Sequence, residues 1–259
     1  MIPGMLLEGR TGIVFGVANK RSIAYACARS AAAQGARLIL TYQGERLAEG
    51  VADLAAALPG PATALACDVS SDAQLDTAFA AIAETMPKVD FAIHSVAFAD
   101  RHDLEGGFVA TSREGFAKAL DISTYSFTAI ARRLAPLMPE GGSLVTMSYL
   151  GGERVVPHYN VMGPAKAALE SSARYLALDL GPQNIRVNVV SAGPIRTLAA
   201  SGIGDFNKML EIGKARSPLQ RNVLADEVGD ATVFLVSDLA RGITGQTLYV
   251  DAGFHITAL

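Results

Sequence analysis

The chain has 259 residues, half of them hydrophobic, with a formal net charge of −3, so it can bury a large single core. The charges form no long run of either sign, which argues against a nucleic-acid partner, and the isolated Cys27 and Cys67 give neither a CxxC metal pattern nor a disulfide framework. With no apolar stretch of the roughly 18 residues that a membrane span needs, and no secretory signal pattern, the sequence predicts a cytoplasmic globular protein.

Short apolar runs alternate with longer helical patterns along the whole chain. Uninterrupted runs of Val, Ile and Leu indicate strands that are covered on both faces, as in a parallel sheet. The predicted strands are 11–16, 36–42, 63–67, 89–94, 142–148, 185–191 and 247–250, and the predicted helices are 22–34, 45–58, 73–85, 113–138, 165–180 and 225–237. This alternation predicts an α/β fold with a doubly wound parallel sheet. Because neither a linker nor a repeat interrupts it, we expect one domain over residues 1–259.

The turn from Gly16 to Ala24 lies between the first predicted strand and the first helix. Dinucleotide-binding folds direct backbone N–H groups toward a pyrophosphate at this position. The turn departs from GxGxxG, since only Gly12 and Gly16 are glycines. Ser22 stands where the helix begins and could cap it or bind a phosphate oxygen. An ordinary strand-to-helix turn is the alternative interpretation.

The ends of the second and third predicted strands bear on cofactor choice. Asp68 could accept a hydrogen bond from an adenine amino group, or it could cap the helix that follows. After the second strand stands Gln43, so the acidic residue that binds the ribose 2′-hydroxyl in many NAD sites is missing. A cation for a 2′-phosphate is also missing at this strand end, and the nearest ones are Lys20, Arg21 and Arg46. The pattern favours NADH over NADPH.

The stretch after the fifth predicted strand holds two tyrosines and a lysine, Tyr149, Tyr159 and Lys166. If the segment between Tyr159 and Lys166 is helical, they are about two turns apart and face one cleft. A phenol can donate to a carbonyl oxygen that becomes negative, and a nearby ammonium can support that charge. Tyrosine and lysine are common residues, so the spacing alone leaves coincidence open.

Several segments in register resemble a known family. They are Gly16 to Tyr25, Cys67 to Val69, His94 to Ala99, Tyr149, Tyr159 to Gly163 with Lys166, and Ser191 to Ala200. Over nearly the whole chain they resemble the bacterial enoyl-acyl-carrier-protein reductases, a divergent branch of the short-chain dehydrogenase/reductase superfamily. Ordinary members of that superfamily have Tyr-x3-Lys, whereas the residue four before Lys166 is Met162.

The resemblance implies a Rossmann-like sheet and NADH-dependent reduction of the α,β double bond of enoyl-acyl-carrier-protein thioesters in fatty acid elongation. It further implies hydride transfer to the β-carbon and an enolate stabilised by Tyr159. The implied partners are NAD(H), the enoyl-acyl-carrier-protein and further copies of the chain in a homotetramer. NADPH is the less favoured cofactor, and neither a nucleic acid nor a membrane is expected.

The same resemblance assigns roles to individual residues. The implied catalytic residues are Tyr149, Tyr159 and Lys166, with lining of the acyl slot, protonation and packing all open for Tyr149. The implied cofactor-binding residues are Gly16, Ser22, Ile23, Gln43, Asp68, Val69, Ser95, Ala97, Lys166, Ile195 and Thr197. The implied substrate-binding residues are Ala99, Tyr149, Tyr159, Met162, Phe206 and Met209.

Two departures from the family bear on these roles. Ala97 stands where many relatives have glycine. Pro164 lacks the N–H that would bond to the Asn160 carbonyl, which shifts the expected start of the helix toward Gly163. The four histidines show no metal-ligand spacing, so we expect structural roles for them and no metal site. Asp121 and Ser123 are also expected to be structural.

Two other function classes stay open at this stage. A carbonyl reductase of the same superfamily would share the cofactor half but should carry Tyr-x3-Lys. A non-catalytic nucleotide-binding regulator would need neither Tyr159 nor Lys166.

Residues 195–216 are expected to form a lid over the substrate. Glycines 202 and 204 loosen the backbone, and Ile203, Phe206, Met209 and Leu210 follow at helical spacing. Such a stripe must bury its apolar face, and we expect it to close over the acyl chain and exclude water. Permanent packing on the domain is the alternative. Lys208 and Lys214 are the candidate contacts for an acidic carrier protein.

Overall fold

The computed structural model describes residues 4–197 and 206–257. One parallel sheet forms its centre, with strand order β3-β2-β1-β4-β5-β6-β7. The strands are β1 (Thr11–Phe15), β2 (Arg37–Tyr42), β3 (Ala62–Ala66), β4 (Phe91–His94), β5 (Gly142–Ser148), β6 (Ile185–Ala192) and β7 (Thr247–Val250). The predicted α/β class and the parallel, Rossmann-like sheet are confirmed. The order of the strands reverses between β1 and β4, which is where such sheets bind ligands.

Helices cover both faces of the sheet. They are α1 (Ile23–Ala33), α2 (Ala48–Ala56), α3 (Asp72–Thr85), α4 (Arg101–Leu104), α5 (Arg113–Leu120), α6 (Ser126–Leu134), α7 (Met162–Leu180), α8 (Phe206–Arg216) and α9 (Ala225–Val236). Successive strand residues supply opposite faces: Val14 packs with α1 and α9, whereas Ile13 and Phe15 pack with α3, α6 and α7. This two-sided burial explains why the strands read as uninterrupted apolar runs.

Three predicted helical or loop regions differ in detail from the structure. The loop predicted at 100–107 contains the short helix α4, and the helix predicted at 45–58 begins with a 3₁₀ turn at Glu45–Leu47. The helix predicted at 113–138 is broken by a π-helical turn at Asp121–Tyr125. In and just after that turn the hydroxyls of Thr124 and Ser126 donate to the carbonyl oxygens of Ala165 (2.8 Å) and Ile122 (2.6 Å). These bonds stabilise a wider turn that the apolar periodicity does not reveal.

Within the described ranges, every helix is too short or too polar to cross a membrane. The same residues contain no group of His, Cys, Asp and Glu side chains that could hold a metal ion.

Candidate active site

A cleft of about 780 Å³ opens at the carboxyl ends of the strands, around the point where their order reverses. Backbone turns after β1, β4, β5 and β6 form its walls. The cleft brings together all the predicted site residues whose side chains the structure describes: Gly16, Ser22, Ile23, Gln43, Asp68, Val69, Ser95, Ala97, Ala99, Tyr149, Tyr159, Met162, Lys166, Ile195, Thr197 and Met209. The side chain of Phe206 lies outside the described part of the chain.

The backbone of the turn after β1 lies directly against the backbone of the turn after β4. Gly16 has a φ of +93°, and a Cβ at this residue would lie 2.4 Å from the carbonyl oxygen of Ser95. Only glycine tolerates both conditions. Ser22 then caps α1: its hydroxyl accepts from the Tyr25 N–H (3.3 Å) and donates to the Asn19 carbonyl (2.8 Å). The capping interpretation is therefore confirmed, and the N-terminus of α1 meets the cleft where backbone N–H groups can bind an anion.

Asp68 anchors the opposite end of the cleft. Its carboxylate accepts from the side chain of Gln43 (2.9 Å) and from both the N–H (2.9 Å) and the hydroxyl (2.7 Å) of Ser70. Partial burial acts to raise the pKa of Asp68, but these hydrogen bonds outweigh it and lower the pKa. The alternative that Asp68 caps the following helix is wrong, because the cap of α3 is Ser71, whose hydroxyl accepts from the Gln74 N–H.

Tyr159 lies in a turn before α7 and not on the helix itself. Asn160 has a φ of +40°, and the Met162 N–H bonds to the Tyr159 carbonyl (3.0 Å). The helix α7 begins at Met162, one residue before the expected start near Gly163, so the condition of a helical segment from Tyr159 onward is not met over residues 159–161. Pro164 falls in the first turn of α7, where a missing N–H leaves no helical bond unmade. Tyr159 and Lys166 nevertheless both line the cleft.

Burial sets the protonation of this pair. The Lys166 ammonium, on a residue that is 5 % exposed, donates to the Met147 carbonyl (2.8 Å). Burial lowers the pKa of Lys166 to about 8, against the opposing charge of Glu170. Burial also raises the pKa of Tyr159, so the phenol stays a proton donor at neutral pH. The arrangement presents a neutral donor and a cation in one dry pocket.

Tyr149 and a glycine turn hold the Tyr159 ring. The two tyrosine rings pack edge to face, with centroids 4.9 Å apart and an interplanar angle of 68°. A Cβ on Gly151 would lie 2.3 Å from the Tyr159 ring, so this turn lies directly against it. Burial raises the pKa of Tyr149 to about 12. Packing against Tyr159 is thus one role that the geometry gives to Tyr149.

Buried polar residues behind the cleft fix the loop after β4. The fully buried Ser123 hydroxyl accepts from the Phe98 N–H (2.9 Å) and lies 3.1 Å from the Phe98 carbonyl, to which it can donate. His94 contacts the hydroxyls of Thr146 and Ser126, each at 2.8 Å, with its two ring nitrogens. Burial, followed by the charge of Lys166, lowers the pKa of His94 to about 3. The side chain is therefore neutral and serves to hold strand ends together.

The cleft also includes residues that the sequence analysis did not assign. Those from the segment after β4 and from α5 include Phe98, Arg101, Leu104 and Lys118. The Lys118 ammonium pairs with Asp100 (3.0 Å) and lies 4.8 Å from the centre of the Phe98 ring. The available signals were the apolar Leu104, within the segment 100–107 interpreted as a polar loop, and the apolar Phe98 just before it.

The predicted lid at 195–216 is described at residues 195–197 and again from α8 onward. Met209 lines the cleft and Leu210 is buried, in agreement with an apolar face turned inward. The predicted residues Gly202, Ile203 and Gly204 lie outside the described part of the chain.

Comparison with known proteins identifies the family of the chain. A family model described as enoyl-(acyl carrier protein) reductase matches residues 16–255. The chain is 54 % identical to an enoyl-[acyl-carrier-protein] reductase [NADH] of Bacillus subtilis over 97 % of its length and 98 % of that protein. It is 50 % identical to the [NADPH] enzyme of Staphylococcus aureus MRSA252, covering 96 % of this chain and 98 % of that one.

A solved structure has the same fold. The Bacillus cereus enoyl-acyl carrier protein reductase, in complex with NADP⁺ and indole naphthyridinone, has a TM-score of 0.97 and 53 % sequence identity. The alignment covers 98 % of this chain and 100 % of that one. The chain belongs to the family of enoyl-acyl-carrier-protein reductases, oxidoreductases of fatty acid elongation.

Proposed function

We propose that this chain uses NADH to reduce the α,β double bond of enoyl-acyl-carrier-protein thioesters, with Tyr159 stabilising the enolate. The observation that best supports the proposal is the buried pair of Tyr159 and Lys166 at one cleft. A bound reduced nicotinamide would supply a hydride to the β-carbon of the substrate.

The residues present suit a dinucleotide. The crowded Gly16 turn lets a ligand approach the backbone closely, and Ser22 and Ile23 bring the N-terminus of α1 to the cleft. Gln43, Asp68 and Val69 would hold the adenosine end and Lys166 the nicotinamide ribose. Ser95 and Ala97 would contact the middle of the cofactor, while Ile195 and Thr197 would bind its carboxamide and phosphates.

Tyr159 would act on the thioester oxygen. Burial keeps its phenol protonated, so it can donate as negative charge develops on that oxygen. One such donor at a dry site contributes about 3–4 kcal/mol to stabilising the transition state. The Lys166 ammonium adds positive potential beside it, and Tyr149 restricts the Tyr159 ring by packing.

NADH is the cofactor that the adenosine end favours. The carboxylate of Asp68, bonded to Gln43, places negative charge there, which would repel a 2′-phosphate. Lys20, Arg21 and Arg46 are exposed and would have to be recruited to bind that phosphate. Relatives of both cofactor types exist, since the B. subtilis protein is named for NADH and the S. aureus protein for NADPH.

A single assay tests the function and the cofactor together. The protein is given an enoyl thioester on acyl carrier protein with NADH or NADPH, and a simple ketone serves as the control substrate. We expect saturated thioester as product, a higher kcat/KM with NADH, and no ketone reduction. Brisk ketone reduction would instead support a carbonyl reductase. NADH binding without turnover of either substrate would support a regulator.

The proposal includes a homotetramer, supported by an apolar surface on α7. Tyr175 and Leu178 are 70 % and 74 % exposed, on the face of α7 directed away from the sheet. A second copy of the chain would cover them. Light scattering of Tyr175→Lys should show a smaller assembly than the parent protein, and an unchanged mass would remove this surface from the interface.

A further inference from the structure

Glu170 lies one helical turn after Lys166 on α7, so the two side chains share a face of the helix. Its carboxylate accepts a hydrogen bond from the hydroxyl of Ser148, the last residue of β5. Ser148 itself lines the cleft beside Lys166. One carboxylate therefore contacts the wall of the active site and lies near its cation.

The glycine turn after β5 covers this carboxylate. A Cβ on Gly152 would lie 3.1 Å from a carboxylate oxygen of Glu170 and 3.0 Å from the Ala167 backbone nitrogen. The turn thus lies on α7 at the level of Glu170 and leaves the carboxylate half-buried. Burying a charged group is costly unless partners compensate it, so its surroundings determine what it does.

Five titratable or charged groups face Glu170 from the elements around it. Lys166 and Arg174 come from α7 itself, Tyr159 comes from the turn before α7, Glu153 follows the glycine turn, and Tyr249 comes from β7. The Tyr249 hydroxyl donates to Glu153, which is exposed. Burial raises the pKa of Glu170, whereas the Ser148 hydrogen bond and the two cations favour its charged form. Its strongest buried neighbour of opposite charge is Lys166.

We propose that Glu170 is a positioning residue of the active site, which fixes Ser148 at the cleft wall and keeps the Lys166 ammonium charged as the pH rises. The proposal rests on the cofactor-binding role given to Lys166 above. The ammonium has one hydrogen-bond acceptor within the described residues, the neutral Met147 carbonyl. A carboxylate one turn away is the charge that can offset its burial.

The test is the pH dependence of NADH affinity in Glu170→Gln, measured by fluorescence without substrate. Lys166 binds NADH as a cation, and its pKa of about 8 means that affinity should fall above that pH. Because the Glu170 charge raises this pKa, its loss should move the fall to lower pH by about one unit. If a neutral Lys166 binds NADH about tenfold more weakly than the cation, Glu170→Gln should bind NADH about threefold more weakly than the parent at pH 8 and almost equally at pH 6.

Two further variants separate charge from shape. Glu170→Asp keeps the charge and should retain the parent pH profile even if its affinity is slightly lower. Glu84→Gln removes the same charge from the exposed surface of α3 and should change nothing. Circular dichroism at each pH verifies that all the variants are folded.

The outcomes distinguish this proposal from the proposed function. A uniform loss of affinity at every pH, or no change, in Glu170→Gln would overturn the charge-holding role. A shifted profile in a protein that binds NADH but does not reduce enoyl thioesters would support the role of Glu170 and refute the enzymatic function. A parent protein whose NADH affinity is independent of pH up to 10 would overturn the role of Glu170.

Discussion

The two ends of the cleft satisfy their polar groups in opposite ways. At the adenosine end, Asp68 is bonded to Gln43 and Ser70 close to solvent, and its pKa stays low. At the catalytic end, Tyr159 and Lys166 are buried, and burial displaces both pKa values. The difference fits the proposed function, in which the first end recognises the cofactor and the second end reacts, because strongly displaced pKa values mark groups adapted to chemistry. Substitutions at the two ends should therefore affect different kinetic constants.

The largest effect is expected from Tyr159→Phe. Losing the donor to the developing enolate should lower kcat by about 10²–10³, since the remaining ring keeps the shape of the pocket. NADH affinity should change less than about twofold, because kcat and binding separate when an interaction forms only in the transition state. Steady-state kinetics and NADH fluorescence measure the two quantities.

Tyr149→Phe is the matched control for that substitution. It removes the hydroxyl of the neighbouring ring and keeps the edge-to-face packing, so a loss of about fivefold or less is expected. If Tyr159→Phe were fully active and Tyr149→Phe were not, Tyr149 would be the group that stabilises the enolate.

Lys166→Met should have the next largest effect, and it should change the affinity for NADH, whereas Tyr159→Phe changes kcat. It fills the same space without the cation, so we expect the Kd for NADH to rise on the order of tenfold at pH 7. The direction of the pH dependence follows from the lowered pKa of Lys166, because its ammonium is charged below about pH 8 and neutral above it. The parent affinity should thus fall above pH 8, while the variant should show a flat profile. A sloping profile in the variant would assign the titration to another group.

Asp68→Asn tests the recognising end and should have a smaller effect. It keeps the bonds from Ser70 in part and removes an exposed charge, so the KM for NADH should rise about threefold with kcat unchanged. Loss of the negative charge should also improve the use of NADPH relative to NADH. A fall in kcat without a change in KM would contradict the division between the two ends.

The sheet could be predicted because its strands are covered on both faces and read as apolar runs, as Ile13 and Val14 illustrate. The family resemblance could predict part of the cleft, such as Tyr159 and Lys166, but it did not point to Phe98 or Lys118. The turn that presents Tyr159 could not, because left-handed backbone at His158 and Asn160 lacks the glycine that usually signals it. The role of Ser71 as the cap of α3 was also hidden, since Asp68 is an equally good capping residue by type.

The last prediction concerns α8, whose two ends also differ. Its C-terminal end packs on the domain, because Ser217 is buried and a Cβ on Gly213 would lie 2.8 Å from the side-chain oxygen of Asn222. Its other half turns Met209 into the cleft, where an acyl chain would lie. If α8 belongs to a lid, the amides of residues 210–214 should exchange on the order of tenfold more slowly once NAD and an acyl-site ligand are bound.

The amide of Ser217 provides the internal control for this measurement. Ser217 is buried at the packed end of α8 without any ligand, so its exchange should be slow from the start and change little. Hydrogen exchange followed by mass spectrometry of overlapping peptides resolves the two segments. Strong protection of residues 210–214 in the free protein would mean that α8 packs permanently on the domain, because a lid that is already closed leaves no population for the ligand to shift.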